Sequence, residues 1–312
     1  ETSLWNQGKA NHCILNQMVL NMYKNTIKLF WKSCLYIIAI YALSSCISDK
    51  DENPTENLAA LDLFDQSYGA EQNQIFDIYL PAGRSIAETP LLIYIHGGAW
   101  VEGSKEEFNQ FRQALSKEFT EYAFASINYR LYNFSQGNNK FPAQEDDVIE
   151  ALSYFQSKAS EWNISDKLIL AGASAGGHLA LLHAYKHPTV GNVRAVIAFF
   201  PPTNLAELYD FSFFTQTGLS GMLGGNPKDK PEAFAAYSPI TFINSKSVPT
   251  IFFHGTSDII VPISQSLLLK KALIDAGVKY EFTEVPNQGH GFTLDTYPNL
   301  FQQAAKFVKK QM

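Results

Sequence analysis

An alternation of two apolar patterns constrains the fold of this 312-residue chain more than any other feature. From about residue 74, short runs rich in β-branched and aromatic residues alternate with longer segments of helical spacing. The runs predict strands at Ile75–Leu80, Leu91–His96, Ala123–Tyr129, Leu168–Ala171, Ala195–Phe200, Thr250–His254 and Tyr280–Val285. Helices are predicted between them at Lys105–Phe119, Phe141–Ala159, Gly176–Lys186, Ile263–Ala276 and Leu300–Gln311. This order is typical of βαβ units, so we expect an α/β fold with a mostly parallel central sheet and helices on both faces.

Between Asn204 and Ser238 the alternation stops, and the segment contains aromatic residues and glycines without a clear period. Insertions of this kind often cover the active sites of α/β enzymes. We therefore predict a small cap insertion over this stretch.

The strongest chemical signal is Gly-x-Ser-x-Gly at residues 172–176, placed between a predicted strand and a predicted helix. This context is that of a nucleophile elbow, a sharp strand-to-helix turn that exposes a serine hydroxyl. Side chains at Gly172 or Gly176 would collide with the neighbouring strand and helix. Ser174 is therefore the predicted nucleophile.

A serine hydroxyl needs a base, and the base needs an acid that orients it. His290 lies in a glycine-flanked loop just after the last predicted strand, and Asp258 follows the strand at 250–254. The order Ser174, Asp258, His290 along the chain is the order found in α/β-hydrolase triads. We expect His290 to take the proton of Ser174 and Asp258 to hold the productive tautomer.

His183 and His187 have the four-residue spacing of metal ligands on a helix, but the glutamate of a His-Glu-x-x-His motif is missing between them. We interpret them as the end of a helix. No sequence pattern calls for a metal or another cofactor.

The predicted strand Leu91–His96 runs into the segment His96-Gly-Gly-Ala-Trp100. Acyl transfer places negative charge on a carbonyl oxygen, which backbone N–H groups can stabilise. Gly97, Gly98 and Ala99 are the candidate donors here, and the amide of Ala175, next to the nucleophile, would complete the oxyanion hole. Candidate substrate-binding side chains are Trp100 in this segment and Tyr209 and Phe213 in the insertion. The alternatives are that Trp100 anchors the loop to the core and that the aromatic residues of the insertion only pack its loop.

From about Gln74 to the C-terminus the chain resembles an α/β-hydrolase of the esterase/lipase group related to hormone-sensitive lipase, nearest to secreted polysaccharide deacylases and arylformamidases. The matching segments are 96–100, 126–131, 141–147, 172–177 and 237–240, together with Asp258 and His290. The resemblance implies oxyanion donation by Gly97 and Gly98. Because Ala99 stands at the third position, as in the formamidase motif, the pair Gly98 and Ala99 is the alternative. It also implies that Asn128, Tyr129 and Arg130 are structural supports of this loop.

The sequence and the resemblance together predict a serine carboxylic ester hydrolase that removes acetyl or aryl acyl groups from carbohydrate or other small esters through an acyl-enzyme. Its activity should rise through roughly pH 6–7, where an unperturbed imidazole titrates. The alternatives are an arylformamidase-like amide hydrolase, a serine exopeptidase and a catalytically silent binding protein with this fold.

The N-terminal region has the pattern of an export signal. Three lysines within residues 24–32 precede an apolar run at 34–43, followed by small residues and Cys46. This pattern is typical of a secretory signal peptide, and the run is shorter than the roughly twenty residues of a membrane-spanning helix. The exit resembles the bacterial lipobox, so we expect lipid on Cys46. A bare transmembrane anchor and a chance cysteine are the alternatives.

We therefore divide the chain into residues 1–45 (upstream residues and signal peptide), residues 46–60 (a lipidated tether) and residues 61–312 (the hydrolase domain). The predicted location is a bacterial outer membrane, on its periplasmic or surface face, with membrane contact only through the lipid on Cys46. The net charge of −6 and the pI of about 5.7 give no basic surface. Nucleic acid is therefore not an expected partner.

Overall fold

The computed structural model describes residues 58–312, so the predicted signal peptide and Cys46 lie outside the described residues. Eight strands form one sheet in the order β1-β2-β4-β3-β5-β6-β7-β8. Their bounds are β1 Leu61–Ser67, β2 Ile75–Leu80, β3 Leu91–Ile95, β4 Ala123–Ile127, β5 Lys167–Ala173, β6 Asn192–Phe199, β7 Thr250–Gly255 and β8 Tyr280–Val285. β1 and β2 pair antiparallel, as do β2 and β4, and all other neighbours are parallel. The predicted mostly parallel sheet is confirmed.

The first strand was not predicted from the sequence. In β1 six of the seven residues are exposed, including Leu61 and Phe64. Among the strands between residues 58 and 312, β1 is the first in the order of the sheet and pairs only with β2. Its apolar residues are therefore not buried, and the segment lacks the continuous apolar run that identifies the inner strands.

The helices are α1 Asn109–Glu118, α2 Ala143–Lys158, α3 Ala175–Lys186, α4 Leu205–Tyr209, α5 Phe213–Leu223, α6 Pro231–Ala236, α7 Ser264–Ala276 and α8 Tyr297–Lys309, with short 3₁₀ helices at Lys105–Phe108 and Pro239–Phe242. α4, α5 and α6 occupy the predicted insertion between β6 and β7. Since α4 has five residues and α6 has six, neither is long enough to show a helical period in the sequence. Among the helices described between residues 58 and 312, none is long and apolar enough to cross a bilayer.

The sheet separates two apolar clusters. Leu91, Ile93 and Ile95 of β3 face one cluster, which contains the buried residues of α2, α3 and α7. Leu92 and Tyr94 of the same strand face the other cluster, together with buried residues of α1 and α8. The alternation of side chains along a strand thus places helices on both faces. β3, β5, β7 and β8 run parallel, so their carboxyl-terminal ends lie on the same side of the sheet. The candidate functional residues follow these ends.

Candidate active site

Ser174 connects β5 to α3 in a strained backbone conformation, with φ 52° and ψ −121°. The turn is closed by glycines that approach other backbone atoms. A Cβ added to Gly172 would lie 2.7 Å from the amide nitrogen of Gly177, and one added to Gly176 would lie 2.5 Å from the carbonyl oxygen of His96. These atoms belong to the helix and to the end of β3 and cannot move aside easily. The predicted steric need for both glycines is confirmed.

The structure brings Ser174, Asp258 and His290 together although they are far apart in the sequence. The Nε2 atom of His290 lies 2.9 Å from the Oγ atom of Ser174, and its Nδ1 atom lies 2.8 Å from Oδ2 of Asp258. Because Nδ1 faces a carboxylate, it carries the ring proton, and Nε2 is left to accept the hydroxyl hydrogen of Ser174. The arrangement can therefore move a proton from Ser174 to the imidazole.

Asp258 is held as an anion in a buried position. Its Oδ1 atom accepts hydrogen bonds from the amides of Ile260 and Val261, at 2.9 and 3.0 Å. Burial by itself would raise the pKa of Asp258, but hydrogen bonds from His254 and His290 outweigh that effect and hold the pKa well below its usual range. The carboxylate is thus ionised at neutral pH and can stabilise a protonated His290.

The structure corrects one of the predicted oxyanion donors. The amide of Gly97 donates a hydrogen bond of 3.1 Å to Oε2 of Glu107, so this N–H is already used. Within residues 58–312, the amides of Gly98, Ala99 and Ala175 form no hydrogen bond. Gly98 and Ala99 adopt positive φ values of 96° and 51°. The amides left to face a developing oxyanion are therefore those of Gly98, Ala99 and Ala175.

The glycine loop is supported from below by Tyr129. Its hydroxyl donates to the carbonyl oxygens of His96 and Gly97, at 3.1 and 3.2 Å, and its ring stacks on the His96 ring at a centroid distance of 4.3 Å. Burial lowers the pKa of His96 to about 4. Beside Tyr129, Oδ1 of Asn128 accepts a hydrogen bond of 2.6 Å from the backbone amide of Lys105. The guanidinium of Arg130 forms an ion pair of 2.7 Å with Oδ1 of Asp147.

A cleft of about 430 Å³ opens over Ser174. Its lining includes the polar side chains of Glu102, Glu107 and Gln110. It also includes the apolar side chains Phe111, Phe200, Ile260, Phe292, Leu294 and Tyr297. Sequence reasoning missed Glu107, whose carboxylate binds both the Gly97 amide and the Tyr94 hydroxyl. The only signal in the sequence was its position, one helical turn or so into the segment that follows the glycine loop.

The structure does not bring the three predicted substrate-binding residues to this cleft. Trp100 is buried, with its ring against those of His178 and Phe141, so it anchors the loop in the core, the alternative to substrate binding. Positive φ at Ala99 and Trp100 turns the chain so that the indole enters the core. Tyr209 packs edge-on against Phe234 inside the insertion, and Phe213 is 76% exposed at the start of α5.

Solved structures of similar architecture include two that act as examples. The truncated form of a carbohydrate esterase from gut microbiota is 26% identical, with a TM-score of 0.70, and the match covers 82% of this chain and 98% of that chain. A bifunctional GH43-CE protein of Bacteroides eggerthii is 25% identical, with a TM-score of 0.68, over 80% of this chain and 38% of that one. The expected α/β-hydrolase fold is confirmed.

Esterase LipC of Mycobacterium tuberculosis (strain ATCC 25618 / H37Rv) is 25% identical over 255 residues, which are 73% of this chain and 59% of LipC. The chain matches 51% of the length of a second esterase of that organism, LipQ. It therefore spans little more than half of these curated relatives. The family model BD-FAE matches residues 76–273, from β2 to α7. Since this match covers well over half of the sequence, the chain belongs to the BD-FAE family.

Proposed function

We propose that this chain is a serine carboxylic ester hydrolase that removes acetyl or aryl acyl groups from carbohydrate or other small esters. The observation that carries the proposal is the imidazole of His290, which lies 2.9 Å from the Ser174 hydroxyl and 2.8 Å from the Asp258 carboxylate. The names of the similar carbohydrate esterase and of LipC support the same reaction class.

The reaction proceeds in two halves. Ser174 Oγ attacks the ester carbonyl while His290 Nε2 takes the hydroxyl proton, and the imidazolium is stabilised by Asp258. The amides of Gly98, Ala99 and Ala175 face the resulting oxyanion. The C–O bond to the alcohol breaks as His290 returns the proton to it, which leaves an acyl-Ser174 ester. Water gives a proton to His290 as it attacks this ester. The bond between the acyl carbon and Ser174 Oγ then breaks as His290 returns the proton to Oγ, which releases the carboxylic acid and the free serine.

The lining of the cleft supports esters of this kind. Aromatic side chains such as Phe111, Phe200 and Phe292 can pack against an aryl or short acyl group. The Glu102 carboxylate can accept hydrogen bonds from hydroxyl groups of a sugar, and the Gln110 amide can accept them or donate them. An apolar surface combined with a few polar groups is the usual character of small-molecule sites.

Fluorophosphonate labelling and hydrolysis of p-nitrophenyl acetate test the proposal. We expect the wild-type protein to be labelled and active, and Ser174→Ala to lose the label and at least about 10⁴-fold in kcat. Activity retained in Ser174→Ala would end the proposal. A wild-type protein that is neither labelled nor active would favour the catalytically silent binding protein instead. Preference for N-formylkynurenine over acetylated xylooligosaccharides would favour the arylformamidase.

We also propose that the full chain is exported and becomes a lipoprotein of a bacterial outer membrane, with residues 1–45 as the discarded leader and 46–60 as the tether. The support is the basic segment, apolar run and small-residue exit before Cys46. Labelling with radioactive palmitate in a bacterial host should mark the full-length chain and fail for Cys46→Ser. Equal labelling of both proteins would exclude lipid on Cys46.

A further inference from the structure

His254 is a fully buried imidazole that the reaction scheme above does not use. It lies near the end of β7 and has no exposed surface. Its Nδ1 atom lies 2.7 Å from Oγ of Ser266 on α7. Its Nε2 atom lies 2.9 Å from the carbonyl oxygen of Val261 and 3.3 Å from Oδ2 of Asp258. Both ring nitrogens thus have partners, and one of those partners is the acid of the proposed triad.

The partners of His254 determine where its proton lies. Nε2 faces only acceptors, the Val261 carbonyl and the Asp258 carboxylate, so it must carry a hydrogen. In the neutral ring, Nδ1 then accepts the hydroxyl hydrogen of Ser266. The acceptors at Nε2 therefore select the tautomer that places an N–H against Asp258, and the Ser266 hydroxyl satisfies the other ring nitrogen.

Asp258 is surrounded by donors on both of its oxygens. Oδ1 accepts the amides of Ile260 and Val261, while Oδ2 faces His290 on one side and His254 on the other. Within the described chain, the titratable groups that contact it are His254 from β7 and His290 from the loop after β8, and α7 contributes only the neutral Ser266 behind His254. A carboxylate bound in this way cannot rotate without losing a hydrogen bond.

We propose that His254 is a positioning residue. Its N–H fixes the orientation of the Asp258 carboxylate and binds part of its negative charge, so that His254 and His290 share that charge. The inference rests on the proposed esterase function. It has a measurable consequence, because a carboxylate that loses one donor binds the remaining donor more strongly. Without the His254 N–H, the protonated form of His290 is favoured, and the acid limb of the pH–activity profile moves to higher pH. The freed carboxylate also holds His290 less precisely, which lowers kcat.

Two substitutions at position 254 distinguish the effect of the N–H donor from the effect of the imidazole ring. The side-chain NH₂ of His254→Gln falls near the position of Nε2, whereas that of His254→Asn reaches only the position of Nδ1. With p-nitrophenyl acetate from pH 4.5 to 9, we expect His254→Asn to lose about 10- to 100-fold in kcat, the range that applies to residues that orient metal ligands from the outer shell. Its KM should stay within about threefold, and its acid limb should move up by about half a pH unit or more. His254→Gln should restore most of kcat and the wild-type limb.

His183→Asn is the matched control, because His183 is also buried and binds a backbone carbonyl, that of Val190, at 3.0 Å. It should leave the acid limb unchanged. If both variants at 254 fail to fold, Ser266→Ala keeps the imidazole but removes the hydroxyl that donates to its Nδ1 atom. The Nε2–H is then a weaker donor to Asp258, because hydrogen bonds in a chain strengthen one another, and a smaller shift in the same direction is expected.

The two proposals fail in different ways. Wild-type protein that neither labels with fluorophosphonate nor hydrolyses the ester refutes the proposed function. Wild-type protein that does both, with Asp258→Asn inactive but the acid limb and kcat of His254→Asn unchanged, overturns the role of His254 alone. If neither variant at position 254 folds, a folded Ser266→Ala protein with the acid limb of the wild type also overturns the role of His254.

Discussion

The two halves of the candidate site are built from different parts of the polypeptide. The proton-transfer half consists of side chains, those of His290 and Asp258, which are held by hydrogen bonds to their neighbours. The oxyanion half consists of backbone amides at Gly98, Ala99 and Ala175, and its shape depends on positive φ values and close packing. A side chain can be substituted without moving the backbone. The positions of backbone amides, in contrast, change only when the backbone conformation changes. Activity should therefore fall much more than stability in the first half, and the two should fall together in the second.

The largest effect is expected in the proton-transfer half. Asp258→Asn should lower kcat by about 10⁴-fold, the loss seen when the acid of a serine protease triad becomes an amide and the base adopts the wrong tautomer. The unfolding midpoint in urea should fall only moderately. An asparagine oxygen can still accept hydrogen bonds from the amides of Ile260 and Val261, but an NH₂ group then replaces Oδ2 against the N–H groups of His290 and His254. The exposed Asp275→Asn is the control. A loss of less than about 100-fold would show that Asp258 does not orient the base.

A substitution in the oxyanion half should lower both quantities. A Cβ on Gly98 would lie 2.6 Å from the carbonyl carbon of Glu102, so Gly98→Ala must displace the loop. We expect kcat to fall by about 10²- to 10³-fold, as when one oxyanion donor is lost, and the unfolding midpoint to fall with it. The control is Gly83→Ala, at a similar positive φ of 67° but with no atom within 4 Å. It should cost about 1 kcal/mol of stability and leave kcat unchanged. Equal kinetics for the two variants would contradict a specific role of Gly98.

A third prediction concerns the pH dependence of stability. Burial lowers the pKa of His96, His178 and His183 to about 4. In the unfolded chain these rings take up a proton near pH 6.5, but in the folded chain they stay neutral until about pH 4. Stability should therefore be constant above pH 7 and fall between pH 6.5 and 4, by on the order of 1–3 kcal/mol for each ring. Two of the rings flank the oxyanion half, since His96 precedes the glycine loop and His178 packs on Trp100.

Urea unfolding at pH 7, 5.5 and 4.5 measures this loss, and His183→Gln should remove one share of it. A folded protein whose stability does not change between pH 7 and 4.5 would exclude neutral buried imidazoles.

The smallest effect is expected in the insertion. Phe213 and Phe214 are 76% and 85% exposed and do not line the cleft. Phe213→Ser and Phe214→Ser should change stability by less than about 0.5 kcal/mol, and kcat/KM for small esters should stay within about twofold. A tenfold rise in KM in either variant would instead place α5 over the cleft during catalysis.

The sequence was informative where one physical requirement dominates a segment. Inner strands such as β3 and β7 need continuous apolar runs, and the elbow at Ser174 needs glycines on both sides. These strands and the elbow were therefore predicted at their observed positions. The edge strand β1 escaped because it is not buried. Glu107 escaped because its role depends on a contact with the Gly97 amide, which no local pattern encodes.

Trp100 was assigned to the substrate because it is adjacent to the glycine loop in sequence. The direction of its side chain depends on the backbone dihedral angles of the loop, and those place it in the core. Neighbours along a chain with positive φ values need not face the same side. Proximity in sequence therefore predicted the location of the loop but not the contacts of each side chain.

The backbone at Ser174 has consequences for how such a protein would evolve. Its φ of 52° and ψ of −121° fall in a region that glycine enters far more readily than serine. The protein therefore gives up folding free energy at the residue on which the proposed chemistry depends. A lineage released from selection for hydrolysis could gain thermal tolerance by a single change of Ser174 to glycine. Inactivation would then be favoured by stability alone, and a working serine at this position would persist only under continued selection.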